Sequence, residues 1–513
     1  MDGMPSAELP FSAATCVEPH CETGLPDAPR SWRQTWRDHA YILPSIFLSL
    51  IVCAWFVTWG DWRFFDPENF CGFYDAQALS MIDGRFDVPP EAIGNEAFIF
   101  HGKAYGYFGV GPALLRLPLI VVFQKMDGRW SRMMMLVGCG INLLCAYRIL
   151  RLIRSNDNVT TPAQRLLHSF FILCVGIGST NVFLAGRSFT YHEAIMWGGA
   201  FSLLFTLMIL KYLTQPRCRW LLLAGFFAFM SLHCRPTVGA GALLGICLIS
   251  VILAWRSLTK SQATQSLLGF TAVAAGRHGL IAAAVVVITL ATYFGINYAK
   301  FRTFNGIPLQ YYAWYNAVPI RMKITGGKQI NPKNIPTGLA TYFGPNGMSF
   351  DHQFPWILLS HQPIALGSPT TEMVEGFSSV PVSMPALALL GTFGCVALVR
   401  GSSVFVRRMR LPVLTLLLGG GIVLGCVDIT ERYLHDFYPG LILCAAVGLS
   451  RLETKEKLWR PAVLIAALTI MSIVVNCSFS FVHQRTGYDA PRSKLAEYTC
   501  LQETVDRLLH GRR

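Results

Sequence analysis

An all-α, polytopic membrane protein is the fold class this sequence predicts, and three observations carry it. Hydrophobic residues make up 53% of the 513-residue chain and charged ones only 14%, with a mean hydropathy of +0.43; soluble domains carry about a quarter charged residues. Apolar runs of about 20 residues, the length that crosses a bilayer as a helix, recur along the chain. Clusters of Lys and Arg fall in alternate connections between those runs, as the positive-inside rule requires. That pattern also accounts for the net charge of +14. No basic groove or recognition helix gathers the charge, so it gives no case for nucleic acid. Cysteines such as Cys139, Cys145, Cys174, Cys247, Cys395, Cys426 and Cys444 lie inside apolar runs, where a thiol behaves as a small hydrophobe, and imply no disulfide framework.

Residues 1–40 scatter Pro, Glu, Asp and Ser without periodicity and lack the apolar core of a signal peptide, so they read as a flexible cytoplasmic tail. Eleven spans are predicted, near 41–59, 132–153, 167–185, 192–213, 219–233, 237–255, 279–299, 381–399, 411–427, 433–450 and 461–482, which together make a transmembrane domain over 41–482. The run from Gly109 to Phe123 is short and holds Arg116 near its middle, and so reads as an amphipathic helix lying on the membrane. Arg148, Arg151, Arg154 and Arg165, then Lys211, Arg217 and Arg219, then Arg256 and Lys260, and later Arg400 to Arg410 and Arg451 to Arg460, mark the cytoplasmic connections.

The outer side then receives loop 61–131 with its interfacial helices, the turn Gly186 to Glu193, Cys234-Arg235-Pro236, loop 300–380, the segment Asp428 to Tyr438, and the tail 483–513. Ionisable residues collect in these segments. A transporter places such groups near the bilayer midplane, whereas groups at the outer ends of several spans suit an interfacial active site.

The first outer loop reads Phe73-Tyr74-Asp75-Ala76-Gln77-Ala78, then Gly84-Arg85, Glu96-Ala97-Phe98 and His101-Gly102-Lys103-Ala104-Tyr105, and closes on Phe108-Gly109-Val110-Gly111-Pro112-Ala113-Leu114-Leu115. With Ile296-Asn297-Tyr298-Ala299-Lys300-Phe301 and Glu431-Arg432-Tyr433-Leu434-His435-Asp436-Phe437-Tyr438-Pro439, this resembles the bacterial integral-membrane glycosyltransferases of the GT-C superfamily. The resemblance spans about residues 41 to 482. It implies a mannosyltransferase-like enzyme of the inner membrane that takes a hexosyl or pentosyl group from a polyprenyl-phosphate carrier and passes it, on the periplasmic or outer face, to a lipid, glycan or protein acceptor. It also implies an acidic residue in the first outer loop that contacts the acceptor or acts as base.

Such transfer needs one base for the acceptor hydroxyl and cations for the departing phosphate. Asp75 is the favoured base, with Asp66 and Glu96 as rivals; a solvated carboxylate or a helix cap is the plainer reading of Asp75. Arg187, Arg235 and Arg432 sit at outer ends of spans, where a guanidinium can hold a donor phosphate bidentately. They can equally pair within the protein, as Arg432 with Asp436 and Glu431 with His435 at helical i,i+4 spacing. His192, Glu193, His435 and Asp436 are expected to line the cavity. His192-Glu193 does not extend to a zinc-protease motif, because Met196 occupies the place of the second histidine. The sequence requires no cofactor; a divalent cation bridging carboxylate and phosphate is compatible with the chemistry. The alternatives are a transporter or flippase of a lipid-linked sugar, using the same arginines, and a transferase of another fold whose work falls to loop 300–380.

Overall fold

The computed structural model describes residues 39–68, 70–123, 126, 128–154, 161–259, 272–454, 457–486 and 490–510. The chain divides into Met1–Ala40 and Tyr41–Arg513; nearly all of the first unit, and with it the expected N-terminal tail, lies outside the described residues. The second unit is built almost wholly of helices. In order these are α1 (Leu43–Val57), α2 (Phe73–Ile82), α3 (Gly111–Val122), α4 (Ser131–Ile153), α5 (Pro162–Gly176), α6 (Thr180–Ala185), α7 (Thr190–Thr214), α8 (Cys218–Cys234), α9 (Pro236–Thr259) and α10 (Ala272–Phe301). Three short helices, α11 (Ala313–Ala317), α12 (Ile320–Thr325) and α13 (Ile335–Phe343), occupy the long loop. Then come α14 (Val380–Ser383), α15 (Pro385–Arg400), α16 (Val404–Gly421), α17 (Tyr438–Leu452), α18 (Trp459–Thr486) and α19 (Arg492–His510).

Local chemistry sets several of the boundaries. Thr161 closes a capping box with Gln164 at the start of α5, and the Ser179 side chain accepts from Asn181 N to begin α6. Sheet is confined to two-stranded pieces among the described residues. The hairpin β1 (Phe98–Phe100) with β2 (Lys103–Tyr105) pairs Phe98 with Tyr105, and β3 (Met348–Phe350) with β4 (Ile357–Leu359) pairs Met348 with Leu359. The parallel pair β5 (Met373–Val374) and β6 (Asp428–Ile429) ties the long loop to the segment before α17.

Among the described residues eight helices are long and apolar enough to cross a membrane: Ala40–Val57, Ser131–Ile153, Pro162–Ala185, Thr190–Thr214, Pro236–Thr259, Ala274–Phe301, Phe405–Gly425 and Trp459–Arg485. The other three spans expected from the sequence fall on the shorter apolar helices α8, α15 and α17, of 17, 16 and 15 residues. Each is cut short at the same end of the bundle: α8 by Pro236, α15 by Pro385 at its start, and α17 by the 3-10 helix Glu431–Asp436 before it. The centre is α7, 94% buried over its most apolar window, whereas α10 is only 17% buried and lies at the periphery.

Alternate connections meet at opposite ends of this bundle. At one end Arg154 Nε lies 2.5 Å and His168 Nε2 2.6 Å from the two oxygens of Glu453, joining α4 and α5 to the end of α17. Arg408 donates to Leu213 O (2.7 Å) at the same end, joining α16 to α7. The connections with Lys and Arg clusters belong here, and this is the basic end. At the other, Lys300 Nζ donates to Gly106 O (3.0 Å) and Phe108 O (3.1 Å), fastening α10 to the first loop. The run Gly109 to Phe123 stays at that second end. A Cβ on Gly109 would collide with His233 O at the tip of α8, and the chain returns past α3 to Ser131, whose hydroxyl donates to Glu193 Oε2 (2.9 Å) in the first turn of α7.

Candidate active site

Four segments far apart in sequence converge at the end opposite the basic one: the first loop, the turn from Arg187 to Glu193, the long loop near Glu375, and the 3-10 helix Glu431–Asp436. Backbone pairing of β5 with β6 brings the last two together, and side chains complete the joint. Thr430 Oγ1 donates to Glu375 Oε2 (2.8 Å), and Ser378 N donates to Glu431 Oε2 (2.5 Å). Burial pushes the Glu431 carboxyl well above the usual carboxylate range.

Arg432 forks onto Glu375, with Nη1 to Oε2 at 2.7 Å and Nη2 to Oε1 at 2.9 Å, and its guanidinium lies 4.6 Å from the centre of the Tyr191 ring. Arg235 forks onto Asp436 in the same way, Nε to Oδ1 at 3.0 Å and Nη2 to Oδ2 at 2.7 Å, and covers Tyr433 at 5.1 Å. Arg187 lies 5.1 Å over Phe189, and its carbonyl is 2.9 Å from His192 Nδ1. The His192 ring stands 5.6 Å from that of His483 and 5.7 Å from that of Tyr191. All three arginines expected at outer helix ends are thus at one end of the bundle, each against an aromatic ring.

The i,i+4 pairs expected within Glu431 to Asp436 do not form. The segment is a 3-10 helix with three residues per turn, so positions four apart point in different directions. Arg432 pairs with Glu375 and Asp436 with Arg235, while His435 Nδ1 meets Thr180 Oγ1 at 2.9 Å and stacks on Tyr438.

The three expected carboxylates separate. Asp75 is fully buried: its Oδ1 is 2.8 Å from Arg116 Nε, and its Oδ2 accepts from Gly128 N at 2.6 Å. Arg116 also binds Glu193, Nη2 to Oε1 at 2.7 Å, so Asp75, Arg116 and Glu193 form one solvent-free ion cluster behind the site. Asp66 is half exposed and 3.8 Å from Arg63. Glu96 accepts from Tyr312 Oη at 2.7 Å. Burial raises its carboxyl above the ordinary range, against the hydrogen bond from Tyr312 and the pull of Arg432.

Sequence reasoning missed Glu375, Tyr191 and His483. Loop 300–380 contains only three carboxylates, Asp351, Glu372 and Glu375, and that scarcity was the available signal for a partner to Arg432. Among the described residues no group of three or more His, Cys, Asp or Glu is placed to hold a metal ion.

Beside the site, Asp428 is raised to about 7 by burial, against the pull of a hydrogen bond from Gln329 (2.9 Å) and with the push of the neighbouring Glu372 carboxylate; Arg432 also draws it down. Glu372 is itself held by Arg321 (2.9 Å) and Tyr315 (3.1 Å). In the unfolded chain Asp428 titrates at about 4. Between those values the folded state holds the extra proton, so the β5–β6 joint is strongest in acid and loosens as pH rises through about 7. Hydrogen exchange of the Glu372 and Glu375 amides, which donate across the joint to Val427 O and Ile429 O, should quicken over that range beyond the intrinsic rate. Asp428→Asn should flatten the dependence.

Fold and site together define an α-helical polytopic membrane protein with a site of paired arginines and carboxylates at the end opposite the basic one. The sequence matches no protein-family model and no curated protein. Among solved structures the chain is similar to the oligosaccharyltransferase of Archaeoglobus fulgidus in its apo form, at 14% identity and a TM-score of 0.47, over 88% of this chain and 57% of that one. It is similar also to the same organism's oligosaccharyltransferase AglB in complex with an inhibitory peptide and a dolichol-phosphate, at 14% identity, TM-score 0.46, and 88% and 56% coverage. The chain therefore spans a little over half the length of the structures it matches. At likenesses of this size the functional reading rests on the chain's own residues.

Proposed function

We propose that this protein is a membrane glycosyltransferase that moves a sugar from a polyprenyl-phosphate carrier to a lipid, glycan or protein acceptor, at the membrane face opposite the basic end. In the bacterial setting its sequence motifs imply, that is the periplasmic or outer face of the inner membrane. One observation carries the reading: Arg187, Arg235 and Arg432 stand at one end of the helix bundle, and Glu96 joins that end through Tyr312, whose ring lies 5.2 Å from that of Tyr315 on Glu372. The resemblance of the first loop and of Glu431 to Pro439 to GT-C enzymes supports it.

In this reading Glu96 is the base. A carboxyl raised by burial takes a proton from the acceptor hydroxyl better than a fully solvated one. The hydroxyl oxygen forms the new bond to the sugar's anomeric carbon, and the carbon–oxygen bond to the phosphate breaks. The polyprenyl phosphate leaves as an anion that needs positive charge more than a proton. Arg432 and Arg235 are the phosphate ligands, held in their forked geometry by Glu375 and Asp436 until an oxyanion competes for them. His192 and His435 line the cavity, and Asp75 with Glu193 position the first loop through Arg116.

Purified protein in lipid nanodiscs, given a radiolabelled polyprenyl-phosphate sugar and a membrane extract of acceptors, should transfer label. Arg432→Gln and Glu96→Gln should each lower transfer by about 10²-fold or more. Full transfer in both variants would sink the site. Movement of intact labelled lipid across a vesicle without cleavage would make the protein a transporter instead.

A further inference from the structure

At the basic end, far from the arginine site, three side chains from three helices form a second constellation. Cys218 Sγ lies 3.1 Å from His278 Nε2, and the other ring nitrogen, Nδ1, lies 3.0 Å from Tyr212 Oη. Cys218 is the first residue of α8, His278 lies early in α10, and Tyr212 is in the last turn of α7. His278 and Tyr212 are buried, while Cys218 is partly accessible. This is the order of a nucleophile, a base and a group that orients the base. We propose that Cys218 is a nucleophilic thiol that accepts a long-chain fatty acyl group from an acyl thioester.

The chemistry closes without any further reagent. The sulfur of Cys218 attacks the thioester carbonyl and passes its proton to His278 Nε2, while Tyr212 holds the ring through Nδ1. A new carbon–sulfur bond forms, the donor's carbon–sulfur bond breaks, and the departing donor thiolate takes the proton back from His278. Charge that develops on the carbonyl oxygen is met by positive groups, since Arg217 and Arg219 flank the cysteine at the start of α8. No opposing charge comes from this part of the chain, because residues 194–350 contain neither Asp nor Glu.

The surroundings select an acyl chain among electrophiles. Cys218, Leu222 and Phe226 follow one another at i, i+4 and i+8 along one stripe of α8, and Leu222 and Phe226 are 51% and 53% exposed. A chain attached at Cys218 has about 12 Å of outward apolar surface to lie against, at the height where Trp220 is covered by Lys211 (4.6 Å) and Arg219 (4.4 Å). An aromatic ring under basic residues marks the membrane–water boundary, and a cysteine at that boundary is where acylation adds membrane affinity.

The test incubates the reconstituted full-length protein with an alkyne-tagged palmitoyl thioester and maps the adduct by peptide mass spectrometry, with release by neutral hydroxylamine. The label is expected on Cys218 and lost in Cys218→Ser. His278→Gln should slow acylation by about 10²-fold, the share of a general base, and Tyr212→Phe, which keeps the ring and the packing, by a smaller factor. Alkylation of Cys218 by iodoacetamide should lose its wild-type pH profile in His278→Gln. Equal labelling of Cys218→Ser, or wild-type rates in Tyr212→Phe and His278→Gln together, would overturn the proposal.

Discussion

Replacing Arg116 with methionine is expected to cost about 3–5 kcal/mol of stability, the penalty for stripping one partner from a buried ion cluster. Arg116 is fully buried and is the only cation in contact with both Asp75 and Glu193 among the described residues. Without it, two carboxylates stay behind in a buried pocket with no guanidinium between them, though Gly128 N and Ser131 Oγ still donate to them. A denaturation midpoint in mild detergent should fall sharply, and the first loop should become open to protease. The triple variant Arg116→Met, Asp75→Asn, Glu193→Gln should recover much of the loss, since no uncompensated charge remains. A wild-type midpoint for Arg116→Met alone would show that the cluster does not hold the loop.

The second large effect concerns the joint between α15 and α17. Their backbones touch through two glycines: a Cβ on Gly394 would collide with Cys444 O, and one on Gly448 with Leu390 O. Small residues at such a crossing let helices approach closely where lipid supplies no hydrophobic drive. Gly394→Ala and Gly448→Ala must each push the pair apart, at a cost of about 1–3 kcal/mol or more for an overpacked contact. Because α17 follows directly on the 3-10 helix that bears Arg432 and Asp436, the same variants should also impair sugar transfer. Thermal unfolding and the transfer assay on one preparation check both effects. Transfer that survives a lowered midpoint would mean that the site does not follow α17.

The spans were legible because a bilayer imposes length and polarity on every crossing segment, so α1, α4, α5, α7 and their like can be read from composition alone. The gathering of Arg187, Arg235 and Arg432 was legible for the same reason, since an arginine at a helix end in so apolar a chain has few places to go. What escaped was pairing over distance. Asp75 and Glu193 looked available because their partner, Arg116, stood in a run that reads as a surface helix. Arg432 was offered a local partner at helical spacing, yet a 3-10 turn withdrew Asp436, and Glu375 took its place from a loop that has no period to read. Cys218 and His278 lie 60 residues apart, beyond any local motif.

The pairings have a consequence for biogenesis. Arg116 is synthesised after Asp75 but 77 residues before Glu193, Arg235 precedes Asp436 by 201 residues, and Glu375 waits 57 residues for Arg432. A nascent chain must therefore carry unmatched charges at the membrane until the ribosome has passed Asp436, and the joint of β5 with β6 closes only then. Stalled or truncated chains that stop before this point would leave the translocon with Arg235 and Glu375 both unpaired, and they are the products a membrane quality-control protease should find first.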